Sequence, residues 1–177
     1  MGPGPVAGGG IPSWEEGASR GDLDDIPIAL REIVLLFEIL AESERRETLL
    51  SFAQSAGSFE PLEGEVFDVE DLRQDVECSD KVGVYVRAGE DQRLHLRMRL
   101  GPEAQTLTRA MAGIFCQGLE GATAAEVLAV PDAVVFRIVG ARLMRLRSRT
   151  VYYVLERIRE AVRSAGKRMA SRGAETQ

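Results

Sequence analysis

Residues 81–100 read KVGVYVRAGEDQRLHLRMRL, and this stretch decides the fold. Within it, the runs 82–87 and 94–100 place an apolar side chain at every second position. Residues 89–92 between them are GEDQ, a sequence typical of a turn. Successive side chains of a strand point to opposite faces, so the apolar residues of both runs share one face and the arginines lie on the other. The stretch therefore predicts an antiparallel hairpin with an apolar face and a basic face, and it places His95 on the basic face.

Helical patterns surround this hairpin on both sides. Acidic residues and Pro27 open an apolar helix before it, and Thr123 with Glu126 forms a capping box that opens a short helix after it. The segment 59–70 is acidic, contains proline and is interpreted as a connection. The predicted helices cover 28–40, 44–56, 102–117, a short stretch from 123 to before Pro131, and 150–165, with an apolar stretch at 133–139 and an arginine cluster at 142–149.

The order of these elements predicts an α+β fold, in which a small antiparallel β-sheet has helices packed on one face and helices lie at both ends of the chain. With 177 residues, of which 45% are hydrophobic, the chain can bury one core and is short for two. Residues 1–22 are rich in glycine and proline and predict a disordered tail. A single domain is expected over 23–165, with a flexible C-terminal tail over 166–177.

Charge and cysteine content limit the class of protein. The net charge is −6, but most acidic residues precede residue 80 and most arginines follow it. No window approaches the roughly 18 consecutive apolar residues of a membrane span, so no membrane partner is expected. Two cysteines at unrelated positions do not form a secretory disulfide framework, and no signal peptide is evident. A cytoplasmic protein with reduced thiols is predicted.

Cys78 is the residue most suited to chemistry. It lies just before the first strand of the hairpin, in a chain with one other cysteine, Cys116. Zinc and iron–sulfur sites need several Cys or His ligands, and only Cys116 and His95 could join it, so no metal and no cofactor are predicted. Cys116 falls inside an apolar helix and is interpreted as packing. Any chemistry of Cys78 is then covalent chemistry at one sulfur.

The chain resembles the SufE-type sulfur-acceptor proteins of iron–sulfur cluster assembly over residues 28–162. Its segment 77–83, ECSDKVG, stands where the family has Gly-Cys-Gln-Ser-x-Val-Trp after a short strand. Segment 119–128, LEGATAAEVL, resembles the family's Gly-x-Thr-Pro-x-Glu-Ile-Leu helix start, and 103–104 (EA) its Asp-Ala. Arg147 stands where the family has an arginine before its last helix. The chain departs from the family pattern at Glu77, Ser79, Asp80, Gly83, Arg137, Arg149 and Thr150.

The resemblance implies a SufE/IscU-like fold and a sulfur carrier. Cys78 would take persulfide sulfur from a PLP-dependent, SufS-like cysteine desulfurase and pass it to a SufB-like Fe–S scaffold, stimulating the desulfurase. In this role the chain is a covalent carrier and activator, not itself an enzyme, and acts as a monomer or a homodimer. Thiolate attack on a persulfide requires access, which a segment ahead of a rigid hairpin provides.

Arg147 is the candidate for stabilising the thiolate or persulfide. Asp75, Glu77 and Asp80 are sequence neighbours of Cys78, and negative charge raises the pKa of a thiol, so a cation is needed to offset them. A surface or helix-capping role is the alternative for Arg147.

A second interpretation of the whole chain belongs to another class. The arginine-rich half could make the protein a non-catalytic binding or regulatory module for an acidic partner protein or nucleic acid, with Cys78 merely structural. The sequence lacks a Gly-rich phosphate loop and a cluster of aromatic residues on a basic sheet face. Nucleic acid is therefore not the expected partner, and the carrier is the favoured hypothesis.

Overall fold

The computed structural model describes residues 23–74 and 80–175, and in the last helix the side chains of residues 146–151 and 175 lie outside this description. Within these two segments, three antiparallel strands form one sheet in the order β1-β2-β3. Gln74, at the end of β1, pairs with Lys81, at the start of β2, so the two strands form a hairpin. The strands are β1 (Val69–Gln74), β2 (Lys81–Ala88) and β3 (Leu94–Leu100).

The apolar face of the sheet confirms the alternation predicted for β2 and β3. Val82, Val84 and Val86 of β2 are buried, as are Leu96 and Met98 of β3. All five side chains belong to one hydrophobic core that the helices complete. Burial of one face in this way fixes the register of both strands, because a slip by one residue would expose the whole apolar set.

The other face differs from the predicted basic face at Tyr85. Tyr85 is only 7% exposed, because the ring of Phe67 lies against it with centroids 5.3 Å apart. Gly83 leaves room for the Tyr85 ring, since a Cβ atom at Gly83 would lie 2.9 Å from Tyr85 Cε2. The same segment brings Glu65 Oε1 within 3.8 Å of Arg97 Nε. The chain before β1 therefore folds over this face and covers it.

Strand β1 begins inside the segment that the sequence predicts as an acidic connection. Its sequence, VEDLRQ, does not alternate regularly between apolar and polar residues, and of its residues only Val69 is buried. An edge strand pairs on one side only, so it can carry charged residues that a central strand would exclude. β1 is held by pairing with β2 along its whole length, from Val69 with Val86 to Gln74 with Lys81.

The helices pack on the apolar face of the sheet and lie at both ends of the described chain. This arrangement confirms the predicted α+β fold. None of these helices is both long and apolar enough to cross a membrane. They are α1 (Ile28–Ile39), α2 (Glu42–Ser55), α3 (Thr106–Gly118), α4 (Ala124–Ala129), α5 (Ala133–Val139) and α6 (Ala141–Glu175), with a 3-10 turn at Ala56–Phe59.

Helix α3 lies at the centre of the core. Its residues Met111, Ile114 and Phe115 are fully buried. Gly113 lets α2 approach closely, since a Cβ atom at Gly113 would lie 2.8 Å from the carbonyl oxygen of Phe52. Any larger residue at position 113 would therefore push α2 away from α3.

Two helix starts differ from the predictions. Helix α3 begins at Thr106 rather than near residue 102, because the Ala104 N–H donates to the Gly101 carbonyl in a turn (3.1 Å). Helix α6 begins at Ala141 rather than near residue 150, directly after Gly140, whose φ of 81° ends α5. The arginine cluster 142–149 therefore belongs to a helix.

Helix α6 also runs past its predicted end at residue 165, as far as Glu175. Its last turns are attached to the sheet, because Arg168 Nη1 donates to the Asp68 carbonyl at 2.7 Å and Arg172 Nη1 lies 3.0 Å from Asp68 Oδ1. Most of the predicted flexible tail over 166–177 is therefore helical. The limits of the single domain stay a prediction.

Candidate functional site

Cys78 lies outside the described residues, in the connection between β1 and β2. The chain leaves the described structure at Gln74 and returns at Asp80. The pairing of Gln74 with Lys81 holds the two ends of this connection together. The candidate thiol is thus carried between two strands whose positions the sheet fixes, and its own geometry stays a prediction.

Asp80 anchors the returning end of this connection. Its side chain is 2% exposed, and its Oδ2 accepts hydrogen bonds from Thr108 Oγ1 at 2.8 Å and from the Gln105 N–H at 3.5 Å. Helix α3 has no capping side chain of its own at Gln105. A carboxylate at a helix N-terminus both accepts free N–H groups and interacts favourably with the helix dipole. Asp80 therefore fixes the returning end of the connection to the start of α3.

Arg157 of α6 anchors both strands of the hairpin and is only 2% exposed. Its Nη2 donates to the carbonyl oxygens of Asp71 in β1 (2.8 Å) and Val82 in β2 (3.0 Å). Its Nη1 donates to Tyr153 Oη at 2.9 Å, and its Nη2 lies 3.4 Å from Asp71 Oδ1. One guanidinium group thus fixes α6 to β1 and β2 a few residues from the Cys78 connection.

A second arginine extends this contact at the surface. Arg73 binds Asp71 through Nε (2.9 Å) and Nη2 (2.7 Å), and Nη2 also contacts Glu160 of α6. These carboxylates raise the pKa of the Arg73 guanidinium above its usual range, so it remains a cation. Sequence reasoning missed both arginines, because neither Arg73 nor Arg157 stands in a motif. The one available signal was a lone arginine on the apolar side of α6.

Arg147 falls within α6, but its side chain, like Cys78, lies outside the described part of the structure. The structure therefore describes no contact between the two predicted site residues. Their pairing stays a prediction that follows from the resemblance.

Cys116 and His95 have the settings that the sequence predicts, with one added contact. Cys116 is fully buried in α3, and burial raises the pKa of its thiol to about 12. This confirms Cys116 as a packing residue. His95 is partly exposed, with Nδ1 2.7 Å from Glu120 Oε1. Residues 23–74 and 80–175 contain no group of three or more His, Cys, Asp or Glu that could hold a metal ion.

The two cysteines are expected to react at very different rates in the folded protein. Iodoacetamide attacks the thiolate, and Cys116 stays protonated and buried at any pH well below 12. We predict that Cys78 is alkylated at least about ten times faster than Cys116 at pH 8. Peptide mapping after a short treatment measures both rates, and the urea-unfolded protein is the control in which both should react. Equal rates in the folded state would contradict the prediction.

A groove lined by leucines lies between α2, the start of α3 and the start of α6. Leu49, Leu50, Leu107 and Leu143 line it, together with Arg46, Gln105 and Thr106, and it encloses about 540 Å³. We call it the leucine groove. A neighbouring depression shares Arg46 and Leu143 with it and adds Arg142 and Arg145. Gln105 links the groove to Asp80, the residue at which the Cys78 connection returns to the fold.

Comparison with known proteins gives one consistent result. The family described as "SufE: Fe-S metabolism associated domain" matches residues 31–162. SufE-like proteins of two Mycobacterium tuberculosis strains, themselves uncharacterised, are 28% identical over 141 residues, which is 79% of this chain and 95% of theirs.

Solved structures agree with this match. The solution structure of a hypothetical protein from Thermus thermophilus is 25% identical and superposes with a TM-score of 0.61 over 80% of this chain and 98% of its own. The N-terminal part of a nitrogen-fixing NifU-like protein from Brucella abortus, 18% identical, shares the fold with a TM-score of 0.51 over 68% of this chain and 93% of its own. The family match spans most of the chain, including Cys78, and the chain therefore belongs to the SufE family, which carries a role in Fe–S metabolism.

Proposed function

We propose that this protein accepts sulfur on Cys78 from the persulfide of a PLP-dependent cysteine desulfurase, stimulates that enzyme and passes the sulfur to an Fe–S scaffold. The observation that carries the proposal is the SufE family match over residues 31–162, which includes the lone thiol between β1 and β2. No cofactor of the chain's own is required.

The proposed transfer is a thiol–persulfide exchange. The Cys78 thiolate attacks the terminal sulfur of the desulfurase persulfide, a new S–S bond forms at Cys78, and the bond to the desulfurase cysteine breaks. The electron pair of that bond leaves on the desulfurase cysteine, which becomes a thiolate, so no external oxidant or reductant is consumed. The same exchange with a scaffold thiolate returns Cys78 to its free form.

The surroundings of the connection support this role by giving it a fixed base. Asp80 holds one end on α3, and Arg157 holds the adjoining strands on α6. A thiol that must enter a partner's active site benefits from a rigid support, because less conformational entropy is lost when the complex forms. In this proposal the sheet and the helices of the fold support the connection between β1 and β2, and the Cys78 sulfur provides the chemistry.

The experiment that tests the proposal is intact-mass analysis of the protein after incubation with a cysteine desulfurase and cysteine. We expect a gain of one sulfur atom, about 32 Da, that maps to the Cys78 peptide and is removed by a reducing thiol. Binding to the desulfurase without any such adduct would contradict the carrier and support the non-catalytic binding module.

We further propose that Arg147 stabilises the Cys78 thiolate against its acidic sequence neighbours. A nearby cation lowers the pKa of a thiol, so Arg147→Ala should raise the apparent pKa of Cys78 by about one unit or more and slow its alkylation at pH 7. The pH profile of iodoacetamide labelling measures this. Arg163→Ala is the matched control, because Arg163 lies on the same helix and pairs with Glu156. Identical pH profiles for Arg147→Ala and wild type would exclude the role.

A further inference from the structure

We propose that the leucine groove is the docking surface for an apolar segment of the desulfurase that carries acidic side chains on its flank. This inference rests on the proposed function, and it specifies the chemistry of the partner surface. The groove combines an exposed apolar floor, a basic rim and a position close to Asp80, where the chain returns after Cys78.

The floor of the groove exposes apolar surface. Leu50 is 48% exposed, although its neighbour Leu49 is buried in the core. Leu107 and Leu143 also line the groove and are partly buried against the core. The groove volume of about 540 Å³ is in the range of sites that bury small ligands or several side chains. Covering these leucines would contribute hydrophobic stabilisation to a complex.

The rim of the groove carries an excess of positive charge. Arg46 and Arg142 both contact the same carboxylate oxygen, Glu42 Oε1, at 2.9 Å, so two cations share one anion. Arg145 adds a third cation to the same rim. Helix α6 has no acidic residue in its first turn, so its N-terminus near the groove adds further positive potential. Acidic side chains on the partner complement this rim.

Arg45, although next in sequence to Arg46, is not available to a partner. Its Nη1 donates to the carbonyl oxygens of Arg137 (2.6 Å) and Ile138 (2.7 Å), and its Nη2 donates to that of Phe37 (2.6 Å). This guanidinium instead joins α2 to α1 and α5. The rim cations are therefore those of Arg46, Arg142 and Arg145.

The position of the groove favours the desulfurase over an unrelated partner. Gln105 lines the groove, and its N–H donates to Asp80, two residues after Cys78. A protein bound in the groove would therefore lie close to Asp80, the residue at which the connection that carries Cys78 returns to the described structure. The exposed Ile28, at the start of α1, does not line the groove and serves as the comparison site.

Two variants test the inference without touching the buried core. Leu50→Glu places a carboxylate on the groove floor, and Arg145→Glu reverses one rim charge; both positions are exposed on helices. The partner in this test is a desulfurase that the wild-type protein stimulates. We expect each variant to bind it with a Kd about ten-fold higher or more, since loss of an apolar anchor or the gain of a repulsive charge commonly costs this much. Ile28→Glu, at a site that is 66% exposed, is the matched control and should bind like wild type.

Calorimetric titration gives the affinities, and thermal unfolding confirms that each variant is folded. Sulfur loading at saturating desulfurase should remain at the wild-type level, because the groove acts in docking and not in the exchange. If wild-type protein binds but is never loaded, the proposed function fails while the affinities still decide the docking surface. An unchanged Kd for both groove variants, or an equal loss with Ile28→Glu, would overturn the inference.

Discussion

Replacing Cys78 with serine is expected to reduce stimulation to the level of the desulfurase alone while fold and binding persist. Serine is close to cysteine in size, so packing changes little, but its oxygen is scarcely ionised near neutral pH and cannot form a persulfide. Binding should stay within a few-fold of wild type, because one atom is a small part of a typical interface. Alanine release at saturating cysteine measures stimulation, and calorimetry measures binding.

Cys116→Ala is the matched control for this experiment. Cys116 is buried in α3 and has no proposed role in sulfur transfer, so this variant should stimulate like wild type. Alanine avoids burying a hydroxyl group there. Full stimulation by Cys78→Ser would contradict the carrier and would show that the protein activates the desulfurase by binding alone.

Replacing Arg157 with leucine is expected to destabilise the fold by about 2–4 kcal/mol. The substitution removes the donor shared by the Asp71 and Val82 carbonyls and leaves the Tyr153 hydroxyl without this partner. Buried polar groups that lose a partner carry their full desolvation cost. Asp71 keeps its contacts with Arg73, so the loss is smaller than for a carboxylate left alone in a core. Urea unfolding followed by circular dichroism measures the change.

Arg163→Leu is the control for the loss of an arginine from the same helix. Arg163 is half exposed and pairs with Glu156, and exposed ion pairs contribute about 1 kcal/mol or less. Tyr153→Phe should lower the free energy of unfolding by an amount between those of the two arginine variants, since it removes one hydrogen bond from Arg157. If Arg157→Leu lowered the free energy of unfolding no more than Arg163→Leu does, the buried guanidinium would not stabilise the contact between α6 and the hairpin.

The sequence was most informative where one physical rule acts alone. The period-two alternation of β2 and β3 predicts their buried face, because burial on one side of a strand requires that pattern. The face of Tyr85 follows from the alternation, but its burial does not, because alternation separates the two faces without showing that Phe67 will cover the second one. β1 was missed because a charged edge strand depends on its neighbour for structure and has little pattern of its own.

The candidate site was predictable only in its chemistry. Cys78 follows from its place before the hairpin and from the family resemblance, and Arg147 from the resemblance alone; both positions lie where the structure describes no side chain. The contacts that support the site join residues far apart in sequence, such as Asp80 with Thr108 and Arg157 with Asp71. No local pattern predicts such pairs. The length of α6 was underestimated for a related reason, because its end is attached to Asp68 by tertiary contacts.

Helix α6 connects the leucine groove, where the desulfurase is proposed to dock, with the strands on either side of Cys78. Its 35 residues correspond to a rod of about 50 Å. Near its start it lines the leucine groove through Leu143, further along it grips the β1–β2 hairpin through Arg157, and near its end it reaches Asp68. A helix resists bending, so a displacement at one of these places is transmitted to the others. The distance from the docking surface to the strands that flank the Cys78 connection is thus set by the length of one helix.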